Sequence, residues 1–436
     1  MKYIRTYGDY NSWKLDYSNP DRGFRLKPTL YRYPYTGYED AILLELDDPR
    51  KHGDSTYIKI YIDSDTEFSF YIGNKPGDTQ TTMTCTIDWG DGVIEDKNIT
   101  ADGKGFKLSH SYTGRNFRAI ELYNVERDYS IVGDGANTKS LISHPSIVKN
   151  VILGNSVVSI GTYAFYNCSN LTSIHIPESV TDIGNYALRS CKSLSSIYIP
   201  EGVTSIGERV FEQCSSLTSV YIPEGVTTIE DGAFKNCTSL TSVYIPEGVT
   251  SIGERVFEQC SSLVSVYIPE GVTSIGRHAF TYCTSLTSVY IPEGVTTIED
   301  GAFKNCTSLT SVYIPEGVTT IGDTTYEGVF ENCSSLTSIY IPRSVTSIGR
   351  NAFKGCSSLT SINIPEGVTT IDDGTFNNCT SLSSISLHST TVPTINGSAF
   401  EYLPANGTLH IRRGIIDWMW EAMLDYFDNW TIVEDL

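Results

Sequence analysis

The sequence has no run of about 20 apolar residues, so no segment of it is expected to cross a membrane. Its first ten residues contain no apolar stretch, so we expect no signal peptide in this chain. Basic residues are also scarce, since 31 Lys and Arg stand against 51 Asp and Glu. Nucleic acids and anionic membrane surfaces are bound by clustered positive charge, so this deficit argues against both as partners.

Signatures of catalysis and of metal binding are missing as well. The seven His residues do not recur with carboxylates or nucleophiles at a useful spacing, and the sequence has no nucleotide-binding loop or zinc motif. We therefore predict that the protein is not an enzyme and that it needs no cofactor and no resident metal.

Cysteine, by contrast, is present in a regular arrangement. Ten of the eleven Cys residues recur every 23 residues, with one step of 27 between Cys306 and Cys333. A fixed period in the twenties predicts a solenoid of stacked coils. No His column and no Cys-x-x-Cys accompanies these residues, and a parallel stack does not offer disulfide geometry, so we predict a buried column of free thiols. The column consists of Cys168, Cys191, Cys214, Cys237, Cys260, Cys283, Cys306, Cys333, Cys356 and Cys379.

Each repeat divides into inward and outward positions. Residues 217–229 read Leu-Thr-Ser-Val-Tyr-Ile-Pro-Glu-Gly-Val-Thr-Thr-Ile, and Phe234 and Cys237 follow. The first six residues predict a strand whose Leu, Val and Ile face the core, and the Pro ends it because proline cannot donate to a ladder. Val226 and Ile229 are expected to point inward from a second extended stretch.

The outward positions of the first strand are the candidate binding residues. Ser and Tyr flank the inward Val, so they face away from the core in each coil. Surfaces rich in Tyr and Ser are typical of protein recognition, and aromatic faces also suit sugar rings. The alternative is that Tyr is present only because it suits a strand and stacks on its neighbours. The candidates are Tyr198, Tyr221, Tyr244, Tyr267, Tyr290, Tyr313 and Tyr340, together with Ser219, Ser242, Ser265 and Ser288.

A column of Glu residues follows the Pro of the repeats and is interrupted by Arg343. Like charges in a row repel one another, which favours a basic partner, although Glu is also an ordinary solvated residue of turns. The column consists of Glu178, Glu201, Glu224, Glu247, Glu270, Glu293, Glu316 and Glu366.

One coil is four residues longer than the others, because residues 323–328 interrupt the usual spacing. This unique loop is either a contact point or a tolerated insertion. Elsewhere the coils are close copies, and residues 224–250 are identical to residues 293–319. Copying of the outward positions favours binding by a repeated surface over binding by unique loops.

The pattern Leu-x-x-Ile-x-Ile-Pro-x-x-Val-x-x-Ile-x-x-x-Ala-Phe-x-x-Cys resembles the repeat of the BspA-like leucine-rich repeat family, also called the Treponema-type repeat. The resemblance covers residues 141–405. It implies a leucine-rich repeat solenoid, and a surface or secreted protein of a host-associated bacterium or protist that adheres to host proteins or to other cells.

A second resemblance concerns residues 60–125. Residues 87–92 read Ile-Asp-Trp-Gly-Asp-Gly, a His-Ser-Tyr sequence follows at 110–112, and a closing strand is predicted at 118–123. This arrangement resembles the PKD family, which implies an immunoglobulin-like β-sandwich. Asp88 and Asp91 within it could be calcium ligands, but Asp is commoner as a turn-forming residue, and no further carboxylates stand at coordinating spacing.

The predicted fold is therefore mainly β: a solenoid of about 11 coils of 23 residues, preceded by an immunoglobulin-like sandwich and closed by a strand–helix–strand cap. Further strands are expected at 57–62, 68–72 and 82–89, with a long connection over 93–107. The cap is expected to consist of a strand at 409–411, a helix at 415–427 and a strand at 430–433. The predicted domains are 1–55 (a Tyr- and Pro-rich segment), 56–140 (PKD-like), 141–405 (solenoid) and 406–436 (cap).

These features together predict a non-catalytic adhesion or recognition protein that lies at the cell surface or is extracellular. Its partner would be a protein or a glycan on a host or neighbouring cell. The alternative is a structural attachment or decoration protein, for example of a phage virion surface, because a Tyr- and Pro-rich arm at residues 1–40 would suit assembly onto a particle. The sequence leaves the oligomeric state open.

Overall fold

The computed structural model describes residues 58–64, 67–74, 78–102, 104–113, 116–123, 125, 129–132, 142–322, 327–391, 393–413, 426–427 and 429–435. These residues form 31 strands and one 3-10 turn, Pro145–Ile147. The predicted arm at residues 1–40, and most of the helix predicted at 415–427, lie outside them. In the part of the chain so described, no helix has the length and apolar character that a membrane crossing requires.

Seven strands precede the solenoid, and four of them match predicted strands. The long connection predicted over 93–107 is wrong, because a strand, Ile94–Thr100, occupies much of it and pairs with a neighbour on one side. Only Ile94 and Ile99 are apolar in this strand, so its sequence lacks the alternation that marks a half-buried strand. The seven are β1 (Ile58–Ser64), β2 (Glu67–Asn74), β3 (Thr82–Asp88), β4 (Ile94–Thr100), β5 (Phe106–Ser111), β6 (Asn116–Tyr123) and β7 (Tyr129–Ile131).

The two sheets formed by these strands continue into the solenoid. The strands that follow are β8 (Val148–Leu153), β9 (Val157–Ile160), β10 (Ser173–His175) and β11 (Asp182–Ile183). One sheet has the order β10-β8-β1-β6-β3-β4, and the other has the order β11-β9-β7-β2-β5. Strand β1 is antiparallel to β8, whereas β7 is parallel to β9. The N-terminal strands therefore cover both open edges at the start of the stack, where unpaired strands would otherwise be exposed.

The solenoid itself has about 12 turns, close to the predicted number. Most turns contribute one short strand to each of two parallel ladders, whose strands pair in groups of two to four beyond the first turns, and the last two strands of the first ladder have no counterpart in the second. The first ladder continues with β12 (Ser196–Tyr198), β14 (Ser219–Tyr221), β16 (Ser242–Tyr244), β18 (Ser265–Tyr267), β20 (Ser288–Tyr290), β22 (Ser311–Tyr313), β24 (Ser338–Tyr340), β26 (Ser361–Ile364), β28 (Ser384–Leu387), β30 (Thr408–Ile411) and β31 (Thr431–Glu434). The second continues with β13 (Ser205–Ile206), β15 (Thr228–Ile229), β17 (Ser251–Ile252), β19 (Ser274–Ile275), β21 (Thr297–Ile298), β23 (Thr320–Ile321), β25 (Ser347–Ile348), β27 (Thr370–Ile371) and β29 (Thr394–Ile395).

The core is built from the inward positions that the repeat predicts. Leu217, Val220 and Ile222 are buried, and so are their equivalents in the other coils. A buried column of Phe rings runs along the axis from Phe211 to Phe400, with centroids 5.3–5.6 Å apart and nearly parallel planes. Stacking of the coils therefore buries a continuous apolar surface that no single coil could bury.

Aromatic side chains meet the end of this Phe column. The Phe400 ring lies 5.9 Å from Tyr426 and 5.2 Å from Phe427, and Phe427 lies 5.1 Å from Trp430. Strand β31 pairs in parallel with β30, which confirms the two strands predicted for the C-terminal segment. These contacts bury apolar surface at the last turn of the stack.

Candidate recognition surface

The predicted Tyr and Ser residues lie at the surface of the first ladder. Their strands pair in register, so that Tyr244 lies beside Tyr267 and Ser242 beside Ser265. The intervening Val side chains are buried, and all eleven candidates are partly or fully exposed. Among the Tyr residues, Tyr290 and Tyr340 are the most exposed, at 40% and 46%. The outward direction of both columns is confirmed, and their role in binding stays a prediction.

Three pairs of neighbouring Tyr rings stack on one another in the column. Tyr198 and Tyr221 have centroids 6.4 Å apart, and Tyr244 and Tyr267 have centroids 5.6 Å apart, with planes within 8° of parallel. Stacking of this kind covers part of each ring face.

The Tyr hydroxyls donate hydrogen bonds to the Glu column. In each case the acceptor belongs to the preceding coil, so the Tyr column and the Glu column form one surface. We call this surface the Tyr–Glu face, defined by the candidate Tyr and Ser residues and by Glu178, Glu201, Glu224, Glu247, Glu270, Glu293 and Glu316. The bonds are Tyr198 to Glu178 (3.0 Å), Tyr221 to Glu201 (3.3 Å), Tyr267 to Glu247 (2.9 Å) and Tyr340 to Glu316 (2.8 Å).

The charge of the Tyr–Glu face is negative and closely spaced. Burial and the repulsion of Glu247 and Glu293 raise the pKa of Glu270. Burial and the hydrogen bond to Glu293 raise the pKa of Tyr313 to about 12, so this hydroxyl remains protonated and donating at neutral pH. The face thus offers carboxylates that are exposed, oriented by Tyr hydroxyls and mutually repelling, which is an arrangement that a cationic partner would relieve.

The cysteine column lies in the core, and its thiols are unreactive. All of the Cys residues are buried and free, as predicted. Each thiol from Cys191 onward donates to a backbone carbonyl of the preceding coil; for Cys237 the acceptor is the oxygen of Phe211, at 3.2 Å. Burial raises the pKa of these thiols, to about 12 for Cys214 and Cys260. A protonated and buried thiol is neither a nucleophile nor a metal ligand, so the column is structural.

The Gly-Asp-Gly turn of the N-terminal region uses its carboxylates within the protein. Asp88 accepts a hydrogen bond from Gly90 N at 2.8 Å, and Asp91 accepts one from Val93 N at 3.2 Å. Asp91 also lies 2.8 Å from His110 Nε2. The interpretation of Asp91 as a turn-forming residue is confirmed, and among the residues described no three potential metal ligands come together.

The inserted coil places Glu327 against residues of earlier coils. Glu327 lies 2.6 Å from His278 Nε2, 3.3 Å from Lys304 Nζ and 3.8 Å from Arg277. The loop is visible in the sequence as an insertion, whereas these contacts are not. The sequence does mark Arg277 as unusual, because the neighbouring coils have acidic residues there, Glu254 and Asp300; in place of His278 they have Arg255 and Gly301. The rest of the unique loop, residues 323–326, lies outside the described residues.

Comparison with known proteins gives one family and a set of similar structures. The family model described as BspA type leucine rich repeat region matches residues 143–263, 213–329 and 323–417. No curated protein matches the chain. A crystal structure of a leucine-rich repeat protein from Bacteroides ovatus is 24% identical, with a TM-score of 0.53, and the match covers 83% of this chain and 100% of that one. This likeness supports the solenoid fold.

Two further structures are similar over much of their own length. A leucine rich cell surface protein from Faecalibacterium prausnitzii is 30% identical over 61% of this chain and 91% of that chain, with a TM-score of 0.39. A leucine-rich repeat protein from Eubacterium ventriosum is 20% identical over 77% of this chain and 95% of that chain, with a TM-score of 0.42.

Proposed function

Because the chain belongs to the BspA-type leucine-rich repeat family, we propose that it is a non-catalytic recognition protein that binds a basic segment of a protein partner through its Tyr–Glu face. The hydrogen bonding of four Tyr side chains, Tyr198, Tyr221, Tyr267 and Tyr340, to the Glu of the preceding coil is the observation that carries this proposal. It orients a row of carboxylates that repeats with every coil. A partner with Lys or Arg at matching spacing would pair with several of them at once.

The proposal places the protein at the cell surface or outside the cell, where a recognition protein of this family would meet its partner. It favours a protein over a glycan at the Tyr–Glu face, because the ring faces are partly covered by stacking. The alternative of a virion attachment protein depends on residues 1–40, which lie outside the described residues, so no structural observation favours it.

Replacing three neighbouring tyrosines tests the Tyr–Glu face directly. We expect the variant with Tyr244→Ser, Tyr267→Ser and Tyr290→Ser to remain folded, since each cross-strand pair contributes only about 0.2–1 kcal/mol. We expect its affinity for Lys- and Arg-rich peptides to fall by about tenfold or more, equivalent to about 1.4 kcal/mol. Isothermal titration calorimetry with peptides of increasing basic content would measure the affinity, and circular dichroism would follow the melting transition.

A matched charge variant separates the face from the overall acidity. The changes Glu224→Gln, Glu247→Gln and Glu270→Gln remove three negative charges from the face, so the net charge of the whole protein changes from -20 to -17. The changes Glu230→Gln, Glu254→Gln and Glu299→Gln make the same reduction elsewhere. Only the first set should weaken binding, and the affinity should fall with salt, because the Debye length shortens from about 10 Å at 0.1 M to about 3 Å at 1 M. Equal effects of the two sets, or unchanged binding by the folded Tyr variant, would contradict the proposal.

A further inference from the structure

Tyr282 departs from the repeat at a position with a special backbone geometry. The residue before each column Cys has a left-handed backbone, and Tyr282 has a φ of 61°. Asn and Gly adopt this conformation most readily, whereas it is unfavourable for bulky side chains. The nine equivalent residues are Asn167, Ser190, Gln213, Asn236, Gln259, Asn305, Asn332, Gly355 and Asn378. Tyr282 is therefore the one aromatic residue among the ten positions that precede a column Cys; Tyr402, with a φ of 61°, precedes Leu403 in the coil that lacks the column Cys.

Burial of the Tyr282 side chain offsets little of the cost of this backbone conformation. Its exposed fraction is 46%, and no aromatic ring of the described residues stacks on it. Tyr282 therefore contributes little buried surface to the stack of coils. Unfavourable backbone conformations are concentrated at binding and catalytic sites, which directs attention to what lies beside the ring.

An open groove of about 360 Å³ lies beside Tyr282, and it is lined by Thr238, Gln259, Ser261, Tyr282 and Thr284. The three hydroxyls donate to backbone carbonyls of the preceding coils at 3.3–3.4 Å. Their oxygen lone pairs can therefore accept hydrogen bonds from a ligand. The Gln259 amide can both donate and accept. None of the five lining side chains is charged.

We propose that this groove binds a neutral saccharide. A sugar ring presents C–H groups on one face and hydroxyls around its rim, and the groove offers an aromatic ring beside several acceptors and one amide. Binding sites for small ligands commonly combine an apolar surface with a few polar groups that fix orientation. The absence of charge in the lining favours a neutral sugar over a sulfated or carboxylated one. The proposal does not rest on the Tyr–Glu face, which belongs to another part of each coil.

The chain contains a matched copy of the groove without the aromatic ring. Residues 201–217 are identical to residues 247–263, so Gln213 and Ser215 correspond to Gln259 and Ser261. Asn236 stands there in place of Tyr282, and Thr238 in place of Thr284. The difference between the two places is therefore mainly the aromatic ring, together with Lys192 in place of Thr238 at the outer position.

The test compares the full chain with two variants on a panel of neutral hexasaccharides of glucose, mannose, galactose and N-acetylglucosamine. Saturation-transfer NMR would detect binding, and titration calorimetry would measure it. We expect at least one neutral sugar to bind the wild type and its affinity to fall at least tenfold in Tyr282→Asn. That variant should melt no lower than the wild type, because Asn is the residue that the repeat prefers there.

The second variant, Asn236→Tyr in the Tyr282→Asn background, should regain binding if an aromatic ring beside Gln213 and Ser215 is what the sugar requires. A sulfated oligosaccharide and a basic peptide serve as comparison ligands. The proposal is overturned if no neutral sugar binds the wild type, if Tyr282→Asn binds as well as the wild type, or if only a charged ligand loses affinity in that variant.

Discussion

Raising the pH from 7 to 10 is expected to unfold the solenoid, because the ten column thiols ionise in the unfolded chain and not in the folded one. The ordinary thiol pKa is near 9, and burial raises it to about 12 for Cys214 and Cys260 and well above 9 for Cys237 and Cys283. Above pH 9 the unfolded chain therefore holds fewer protons than the folded chain. Stability falls as the pH rises wherever this holds. The stabilisation that comes from keeping the buried thiols protonated is therefore complete below pH 9 and is lost as the pH rises above 9.

The size of this effect follows from the number of thiols. Each one costs about 1.4 kcal/mol at pH 10, one pH unit above its unfolded pKa, so ten cost on the order of 10 kcal/mol. Whole domains are stable by about 5–15 kcal/mol. The tyrosines of the Tyr–Glu face act in the same direction at still higher pH, because the pKa of Tyr313 is raised to about 12.

Urea unfolding followed by circular dichroism between pH 7 and pH 10, with a reductant present, measures the loss. The number of protons released on unfolding should approach the number of column thiols. A variant with Cys237→Ala, Cys260→Ala and Cys283→Ala provides the control. It should release about three fewer protons on unfolding than the wild type, even though it is less stable at pH 7. Constant stability between pH 8 and pH 10, or rapid labelling of the native thiols by Ellman's reagent at pH 8, would show that the column is not buried as described.

The repeat explains why so much of the solenoid could be predicted. The inward Leu, Val, Ile, Phe and Cys positions recur in nearly every coil, with exceptions such as Leu188 and Leu403, so the assignment of one coil can be checked against the others. The surface was predictable to the same extent, because Ser and Tyr flank an inward Val. The pairing of Tyr267 with Glu247 was not predictable in this way. Those residues are 20 positions apart, and whether they meet depends on the path of the turn between coils rather than on alternation along a strand.

The N-terminal region was harder to predict for a related reason. The antiparallel pairing of Ile58–Ser64 with Val148–Leu153 joins segments separated by most of that region, and no local pattern records it. The strand Ile94–Thr100 was missed because an edge strand needs a partner on only one side and few buried side chains. The sequence shows only that Tyr282 differs from the residues before the other column Cys residues, whereas its left-handed backbone and the neighbouring groove required the structure.

Replacing Phe280 with Ala is expected to cost about 3–5 kcal/mol, the usual loss for a large aromatic residue in a packed core. Phe280 is fully buried, and its ring lies 5.4 Å from Phe257 and 5.3 Å from Phe303. The substitution leaves the backbone bond from Phe280 N to Ala302 O in place, so it removes the ring alone. Urea unfolding at pH 7 would measure the loss, and Val264→Ala, at a residue that is 38% exposed, should cost less than about 0.5 kcal/mol.

The position of the lost ring should also change how the protein unfolds. In a solenoid each coil contacts only its neighbours, so stability is a sum of coil and interface contributions. Phe280 couples the coils on its two sides, and Phe280→Ala should therefore divide unfolding into two steps and speed amide exchange in the neighbouring coils. Phe400→Ala, at the last ring of the column, should affect only the final coils. A single cooperative transition in Phe280→Ala with a loss below about 1 kcal/mol would mean that the Phe column fills the core without holding the stack together.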